Sequence, residues 1–325
     1  MSTTQIEAFD SSRWANLGTR QVAALTSAQI ANIETNDLNA LGNVQFAALT
    51  NERGLTTTQV AALDTVDLRA LSSAAFAAFS SAQFAALTSA QSLARPAGQM
   101  AALGTAQIAA LTSDGLNALS TAQLKALSTR QTLVLDSTQI AGLDSAHVRA
   151  LTTAQFSAFT TSQVAALLTE QMAAMESADL RVLSTAALRT LSAGQLEALD
   201  SRQIGALTTA QVAALTTGQV ATLSTEDLNA FSSAQFAALT SAQVAAFSTG
   251  QLANLESADV RALSTAALVA LSTAQIDAFG TDQLLALSSR QIAALSLTQL
   301  ASRAPSIAVA KLATAQRYGP QSSQL

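Results

Sequence analysis

The chain has 325 residues, of which 49% are hydrophobic but only 4% are aromatic and 11% are charged. Its formal net charge is −5, its pI is about 4.9, and it contains no cysteine. This composition excludes disulfides and thiolate metal sites, and it argues against nucleic acid as a partner, because nucleic-acid-binding surfaces concentrate Lys and Arg.

The first residues, MSTTQIEAFDSSRW, contain neither a basic segment nor an apolar one, so we do not expect a Sec signal peptide. Polar residues interrupt every stretch of 18 residues, so we expect no membrane-spanning helix. Two locations stay open: the cytoplasm, or export by a route that needs no Sec signal peptide.

An eight-residue repeat, here called an octad, organises almost the whole chain. Six octads fit residues 1–48, and residues 49–54 (LTNERG) break the phase because they are two residues short. From Leu55 to Ser302, 31 octads of the form L-[ST]-[ST]-x-Q-[VIL]-x-A follow without insertion, with Gln at position 5 in 22 of them. The domain prediction is therefore N-terminal octads, a phase break, a regular array over 55–302, and a C-terminal cap and tail over 303–325.

The period of eight decides between secondary structures. In a continuous helix the apolar stripe would shift by roughly 80° per octad, so no partner could cover it. A strand would place positions 1 and 6 on opposite faces and would be built from Ala and Gln, which are poor strand formers. We therefore predict an all-α solenoid of very short capped helices, one per octad, stable only because stacking buries their apolar residues.

Each octad carries the residues of a helix N-terminus. Position 2 is mostly Ser, Thr, Asp or Gly, which are typical N-cap residues, and the Gln at position 5 completes a capping box. The apolar residues at positions 1 and 6 are then the hydrophobic staple. The frequent Ser or Thr at position 3 leaves open a cap shifted by one residue.

A longer period lies above the octad. Octads whose position 5 is neither Gln nor Ala begin at 63, 111, 143, 175, 223 and 255, with separations that are multiples of 16. This spacing predicts that two octads form one structural unit, a small helical hairpin. At position 6, Ser92 and Thr132 replace the usual aliphatic residue, and the following Leu93 and Leu133 are expected to substitute for it in the core.

No set of residues predicts catalysis. His147 is the only histidine, so no His-pair metal site can form, and its place at position 5 indicates a substitute for the capping Gln. Glycine-rich phosphate loops and recognisable pairs of catalytic carboxylates do not occur. We therefore expect no enzymatic activity, no metal and no cofactor.

The candidates for contact with a partner are the irregular and the charged positions. Arg95-Pro96 interrupts the array, because Pro is tolerated in a first turn but Arg at core position 1 predicts a local defect, a kink or a partner contact. If stacking brings Asp and Arg side chains of different octads together, they form a surface charge ladder. The arginines concerned stand at position 7: Arg69, Arg149, Arg181 and Arg261.

The tandem motif L-[ST]-[ST]-x-Q-[VIL]-x-A resembles the Ala/Leu/Ser/Thr-rich octapeptide-repeat proteins of bacteria, some of them described as surface- or adhesion-related. The resemblance implies a bacterial origin and an interaction role, and it transfers no site. The function it favours is a non-enzymatic scaffold for structural or protein-binding roles, with a protein partner or self-association. Two alternatives stay open: a secreted effector module that engages a host protein, and a β-solenoid that binds ice or another surface through rows of Ser and Thr.

Overall fold

The structure is a computed structural model that describes residues 3–49 and 54–302. Within these ranges it contains 37 α-helices of four to six residues and no strand. The predicted all-α solenoid of short helices, one per octad, is confirmed. The β-solenoid alternative is wrong for the residues described, because the hydroxyl pairs begin helices instead of lining strands.

The chain divides into two units, Met1–Ala166 and Leu167–Leu325. Unit 1 contains α1 (Thr3–Glu7), α2 (Ser11–Ala15), α3 (Thr19–Ala23), α4 (Ser27–Ala31), α5 (Thr35–Leu38), α6 (Asn43–Phe46), α7 (Thr57–Ala62), α8 (Thr65–Ala70), α9 (Ser73–Ala77), α10 (Ser81–Ala85), α11 (Ser89–Leu93), α12 (Ala97–Ala101), α13 (Thr105–Ala109), α14 (Ser113–Asn117), α15 (Thr121–Lys125), α16 (Thr129–Leu133), α17 (Ser137–Ala141), α18 (Ser145–Ala150), α19 (Thr153–Ser157) and α20 (Thr161–Ala165). Unit 2 contains α21 (Thr169–Ala174), α22 (Ser177–Val182), α23 (Thr185–Leu188), α24 (Ala193–Glu197), α25 (Ser201–Gly205), α26 (Thr209–Ala214), α27 (Thr217–Thr222), α28 (Thr225–Asn229), α29 (Ser233–Ala238), α30 (Ser241–Ala245), α31 (Thr249–Ala253), α32 (Ser257–Ala262), α33 (Thr265–Val269), α34 (Thr273–Asp277), α35 (Thr281–Ala286), α36 (Ser289–Ala294) and α37 (Leu297–Ser302).

Each helix begins directly after position 2, as the octad starting at residue 151 illustrates. Thr152 is extended (φ −85°, ψ 156°), and its hydroxyl oxygen accepts a hydrogen bond from the Gln155 N–H at 3.3 Å. The Thr152 N–H in turn donates to Gln155 Oε1 at 2.7 Å, which completes the capping box. The same pair recurs in most octads, so the cap at position 2 is confirmed and the alternative at position 3 is wrong.

The same Gln side chains also join successive turns of the coil. Gln155 Nε2 donates to the carbonyl oxygens of Leu127 and Leu124, 28 and 31 residues earlier, both at 2.9 Å. In unit 2, Gln243 makes the equivalent pair of bonds at 2.7 and 2.8 Å. We call this pair of bonds the inter-turn tie. Helices accordingly pack against the third helix along the chain, as α15 does against α18 and α29 against α32.

A turn of the coil therefore contains three octads, and the predicted two-octad hairpin is wrong. Three helices per turn enclose the side chains at positions 1 and 6 from all sides, whereas a two-helix layer would leave one side open. The 16-residue spacing describes only where the octads without Gln stand along the chain, and it does not correspond to the length of a turn.

Positions 1 and 6 form the core of each unit. Leu151 and Phe156, for example, are only 4% and 1% exposed. In unit 1 the ring of Phe76 lies against the rings of Phe79 and Phe84, with centroids 5.3 and 5.4 Å apart. These rings therefore pack against one another in the core.

The expected substitution by the following leucine does not occur. Ser92 and Thr132 point into the core, whereas Leu93 and Leu133 are 58% and 43% exposed. The cap and the inter-turn tie fix each short helix about its axis, so it cannot rotate by one residue to exchange the two side chains. The buried Thr132 hydroxyl instead donates to the Ser128 carbonyl oxygen at 3.0 Å.

The phase break does not interrupt the stacking of unit 1. Gln59 donates to the carbonyl oxygens of Ile33 and Ile30, 26 and 29 residues earlier, each distance two residues shorter than elsewhere. The difference equals the two residues that segment 49–54 lacks, so the turn still closes. Residues 50–53 and 303–325, including the predicted C-terminal cap, lie outside the described residues.

Replacing Gln155 by Ala removes the inter-turn tie and the bond from the Thr152 N–H. We expect the free energy of unfolding, measured by urea denaturation, to fall by about 2–3 kcal/mol, because buried polar groups lose their partners. Gln275→Ala is the matched control, since its tie to Ala245 and Phe247 lies at a more exposed position and should contribute less. Equal losses in the two variants would contradict a tie that depends on burial.

Candidate functional site

The arginines at position 7 all lie exposed on the surface of their units. Arg189, also at position 7, donates from Nη1 to the Ala214 carbonyl oxygen at 3.2 Å. The guanidinium groups of the four arginines that the sequence singled out, Arg69, Arg149, Arg181 and Arg261, make no hydrogen bond or ion pair within the described residues. The structure does not bring them together with the aspartates, because Asp67, Asp179 and Asp259 point into the core, 5%, 4% and 5% exposed. Residues two apart lie on different faces of a helix, and stacking does not change this. The charge ladder is therefore not formed.

One of these arginines, Arg181, lines an open groove of about 480 Å³ in unit 2. Gly205 and Thr208 from one turn and Ser232 from the next contribute to its walls. The two turns approach closely here because residue 205 is glycine, since a Cβ at this place would lie 2.5 Å from the Ala230 carbonyl oxygen. The groove thus combines one unpaired guanidinium with hydroxyl and backbone groups.

A second groove lies in unit 1, with a volume of about 400 Å³, and Arg69 lines it together with Asn43, Val66 and Ala70. Val66 is 57% exposed, which is unusual for an aliphatic side chain in this chain. This groove pairs an unpartnered cation with an apolar contact. Two of the arginines that the sequence singled out therefore border concave surfaces, one in each unit.

Arg95 lies in the core, which agrees with the expected local defect and leaves its side chain inaccessible to a partner. It is 3% exposed, and its guanidinium carbon lies 4.8 and 4.9 Å from the ring centroids of Phe76 and Phe84. Its Nε donates to the Ser92 carbonyl oxygen at 3.3 Å, whereas Nη1 and Nη2 have no partner. Burial lowers the pKa of Arg95 to about 10. Arg95 is thus a defect of the core stabilised by two aromatic faces, while Pro96 beside it is exposed.

Pro96 has a second effect in the same octad. Proline has no N–H, so Gln99 Oε1 lacks the donor that position 2 supplies elsewhere and is buried without a partner. Gln99 Nε2 still donates to the Leu71 carbonyl oxygen, 28 residues earlier, at 3.0 Å. Three of the four buried side-chain atoms without a partner in the described ranges therefore belong to this one octad.

His147 makes one of the contacts with the preceding turn that Gln makes in other octads, which confirms its interpretation as a substitute for Gln. Its Nε2 lies 2.7 Å from the Leu119 carbonyl oxygen, 28 residues earlier, and its Nδ1 lies 2.8 Å from Asp144 Oδ1. Although burial raises the pKa of Asp144, hydrogen bonds from the backbone and ring of His147 outweigh it and hold that pKa below its usual value. Among the residues described, no cluster of His, Cys, Asp or Glu could hold a metal ion.

Sequence reasoning missed the three asparagines at position 7. Asn117 Nδ2 donates to the Gly142 carbonyl oxygen at 2.7 Å, and its Oδ1 accepts from the Asp144 N–H at 3.1 Å. Asn39 and Asn229 make the same pair of contacts with the next turn. Each Asn thus accepts the hydrogen bond from the N-cap N–H of an octad that has no Gln to accept it. The sequence signal for this contact is an Asn at position 7 followed, 27 residues later, by an acidic residue at position 2. Across the phase break the separation is 25 residues.

No helix within the described ranges is long and apolar enough to cross a membrane. Six segments of the chain match the family described as the ALTTAQ repeat: residues 60–94, 140–175, 172–209, 201–225, 220–255 and 252–289. Together they cover more than half of the chain, which confirms the expected resemblance to a repeat family, while a bacterial origin stays a prediction. A search of the curated proteins finds no match.

Replacing Arg95 by Leu restores the usual core residue and removes two buried nitrogens, Nη1 and Nη2, whose N–H donors have no partner. We expect the free energy of unfolding to rise by about 1–3 kcal/mol, since an apolar side chain at such a site is neutral or stabilising. Urea denaturation of the full chain measures this. Arg130→Leu, on an exposed position of α16, is the control and should stay within about 0.5 kcal/mol of the parent. A loss of stability in Arg95→Leu would show that the guanidinium contributes more than it costs.

Proposed function

The chain belongs to the ALTTAQ repeat family, and we propose that it is a non-enzymatic scaffold that binds a protein partner through the grooves at Arg181 and Arg69. The observation that carries the proposal is the unpaired, exposed guanidinium of Arg181 in the groove between two turns of unit 2. Its five N–H donors have no acceptor within the described residues, and they are free for an acceptor from outside.

The chemistry of the grooves favours an acidic side chain of the partner. Guanidinium binds carboxylate in a bidentate geometry, and Arg is enriched at protein interfaces. The lining of the Arg181 groove includes Thr208, Thr209 and Ser232, whose polar groups can bond the neighbouring backbone of a bound segment. None of the described residues that line the two grooves is Asp or Glu, so within that part of the chain the arginines meet no competing carboxylate.

The same features support a role other than catalysis. A catalytic pocket encloses its substrate and converges several polar groups upon it, with a nucleophile or base among them. Both grooves are open to solvent, and the described residues that line them include neither a His nor a carboxylate. A second copy of this acidic chain, with 21 Asp and Glu residues, is one partner of the required chemistry.

The test compares the parent chain with Arg181→Glu and with Arg290→Glu, an exposed arginine on α36 that gives the same change of charge. Light scattering measures self-association, and quantitative affinity purification on immobilised chain measures other partners. We expect Arg181→Glu to lose at least tenfold in affinity, because it opposes two like charges, while Arg290→Glu keeps it.

Two outcomes would refute the proposal. One is a parent chain that neither self-associates nor retains a partner at physiological salt. The other is an equal loss in both variants, which would indicate a general effect of charge and no contact at the groove.

A further inference from the structure

Asp259 occupies the place that Gln holds in most octads. It stands at position 5 of the octad that contains α32, which packs against α29 and α35. A Gln there would donate through Nε2 to carbonyl oxygens 28 and 31 residues earlier, and so tie two turns together. An ionised carboxylate has acceptors only, and it can replace this donation only when it carries a proton.

The surroundings of Asp259 provide little stabilisation for its ionised carboxylate. Its Oδ2 is buried and has no hydrogen-bond partner. Burial first, and the nearby charge of Glu256 second, raise the pKa of Asp259 to about 6, against a smaller opposing effect of the Glu256 N–H. That N–H also donates to Asn229 Oδ1 at 3.3 Å, so it is shared. The carboxyl group therefore binds a proton at a pH where an ordinary aspartate does not.

No cation on the surrounding helices compensates for the charge. Arg261, on the same helix, is exposed and makes no ion pair with it. Helix α29 carries no charged residue. The remaining charged groups on the elements around it are acidic: Glu256 at the N-cap, Asp282 on α35, and Glu226 and Asp227 on α28.

Asp227 provides a comparison within the same unit. It also stands at position 5, but Ser224 donates to its Oδ2 from the backbone N–H at 3.3 Å and from the hydroxyl at 2.7 Å. The Ser201 hydroxyl donates to its Oδ1 at 2.9 Å. Both oxygens of Asp227 thus accept from hydroxyls, whereas no hydroxyl of the described residues donates to Asp259.

We propose that Asp259 is an acid-operated lock between two turns of unit 2. When protonated, it donates to a carbonyl oxygen of the preceding turn, as Gln does in other octads. When it is ionised, this donation is lost and α32 opens more readily. The proton comes from solvent and returns to it, so no other reactant is needed.

The direction of the pH dependence follows from linkage. The folded chain binds this proton more tightly than the unfolded chain, whose aspartates titrate near pH 4. The stabilisation is therefore complete below about pH 4 and is lost as the pH rises through about 6. Unit 2 should be more stable at pH 5 than at pH 7.5 by this contribution.

Unit 1 contains a second buried aspartate at position 5. Asp67 stands at position 5 and is 5% exposed, and burial together with the charge of Asp64 raises its pKa to about 6. The Asp64 N–H donates to Asn39 Oδ1 at 3.4 Å, as the Glu256 N–H does to Asn229. Asp67 therefore allows an independent repetition of the experiment in the other unit.

The experiment uses the full chain and the variant Asp259→Asn, which keeps the shape of the side chain and donates at every pH. Hydrogen exchange of peptides from α32, corrected for the intrinsic rate, measures local opening between pH 4.5 and 7.5. In the parent, we expect the opening constant to rise by roughly ten- to a hundredfold across this range, as a shift of about two pKa units implies. In Asp259→Asn this rise should disappear.

Asp227→Asn is the matched control, and it should leave the pH dependence of α32 unchanged. Carbon-13 NMR of the Asp259 carboxyl group in the parent chain tests the proposal even where a variant does not fold. Titration midway near pH 6 supports the lock, whereas titration near pH 4 overturns it. An unchanged pH dependence in Asp259→Asn, or an equal change in Asp227→Asn, also overturns it.

Discussion

The side-chain amide at position 5 is the interaction on which the rest of the fold depends. A helix of five residues leaves most of its backbone N–H and C=O groups without a partner inside the helix and is not stable alone. The Gln155 amide oxygen accepts a hydrogen bond from the N–H of Thr152, the N-cap residue of its own octad, and the amide nitrogen donates to two carbonyl oxygens of the turn before. One planar group therefore starts a helix and attaches it to its neighbour. Helix formation and stacking are thus the same event, which is why such short helices persist.

The sequence predicts what happens within an octad much better than what happens between octads. The capping box of Thr152 and Gln155, and the buried positions 1 and 6, follow from contacts between residues at most five apart. The three-octad turn depends on where the chain returns, and near-identical octads give no signal of that. Arg95 was visible as an anomaly, but its burial depends on Phe76 and Phe84 in other octads. The grooves depend on two turns approaching each other, and they could not be predicted for the same reason.

Octads without Gln show how the chain replaces one amide by two separate groups. At His147 the ring supplies the contact to the preceding turn, and Asn117 supplies the acceptor for the Asp144 N–H. At Asp259, Asn229 supplies the acceptor, and the donor exists only while the carboxyl is protonated. In the octad of His147 both the donor and the acceptor of the missing Gln are thus replaced. In the octad of Asp259 the donor is replaced only when the carboxyl group is protonated. The octad of Arg95 is a different case, because it keeps its Gln and the donation to the preceding turn. Nothing there replaces the N–H that Pro96 lacks, so Gln99 Oε1 stays buried without a partner.

The asparagine contacts also bear on how such an array can change in length. A Gln meets equivalent carbonyl oxygens whichever octads lie beneath it, so adding or losing an octad in a Gln-bearing stretch recreates the same bonds. Asn117 and Asp144, or Asn229 and Glu256, meet only if 27 residues separate them. Duplication or deletion of a single octad between such partners leaves one octad without its cap and gives an asparagine to an octad that does not need it. Variation in copy number is thus free in some stretches of this chain and restricted in others.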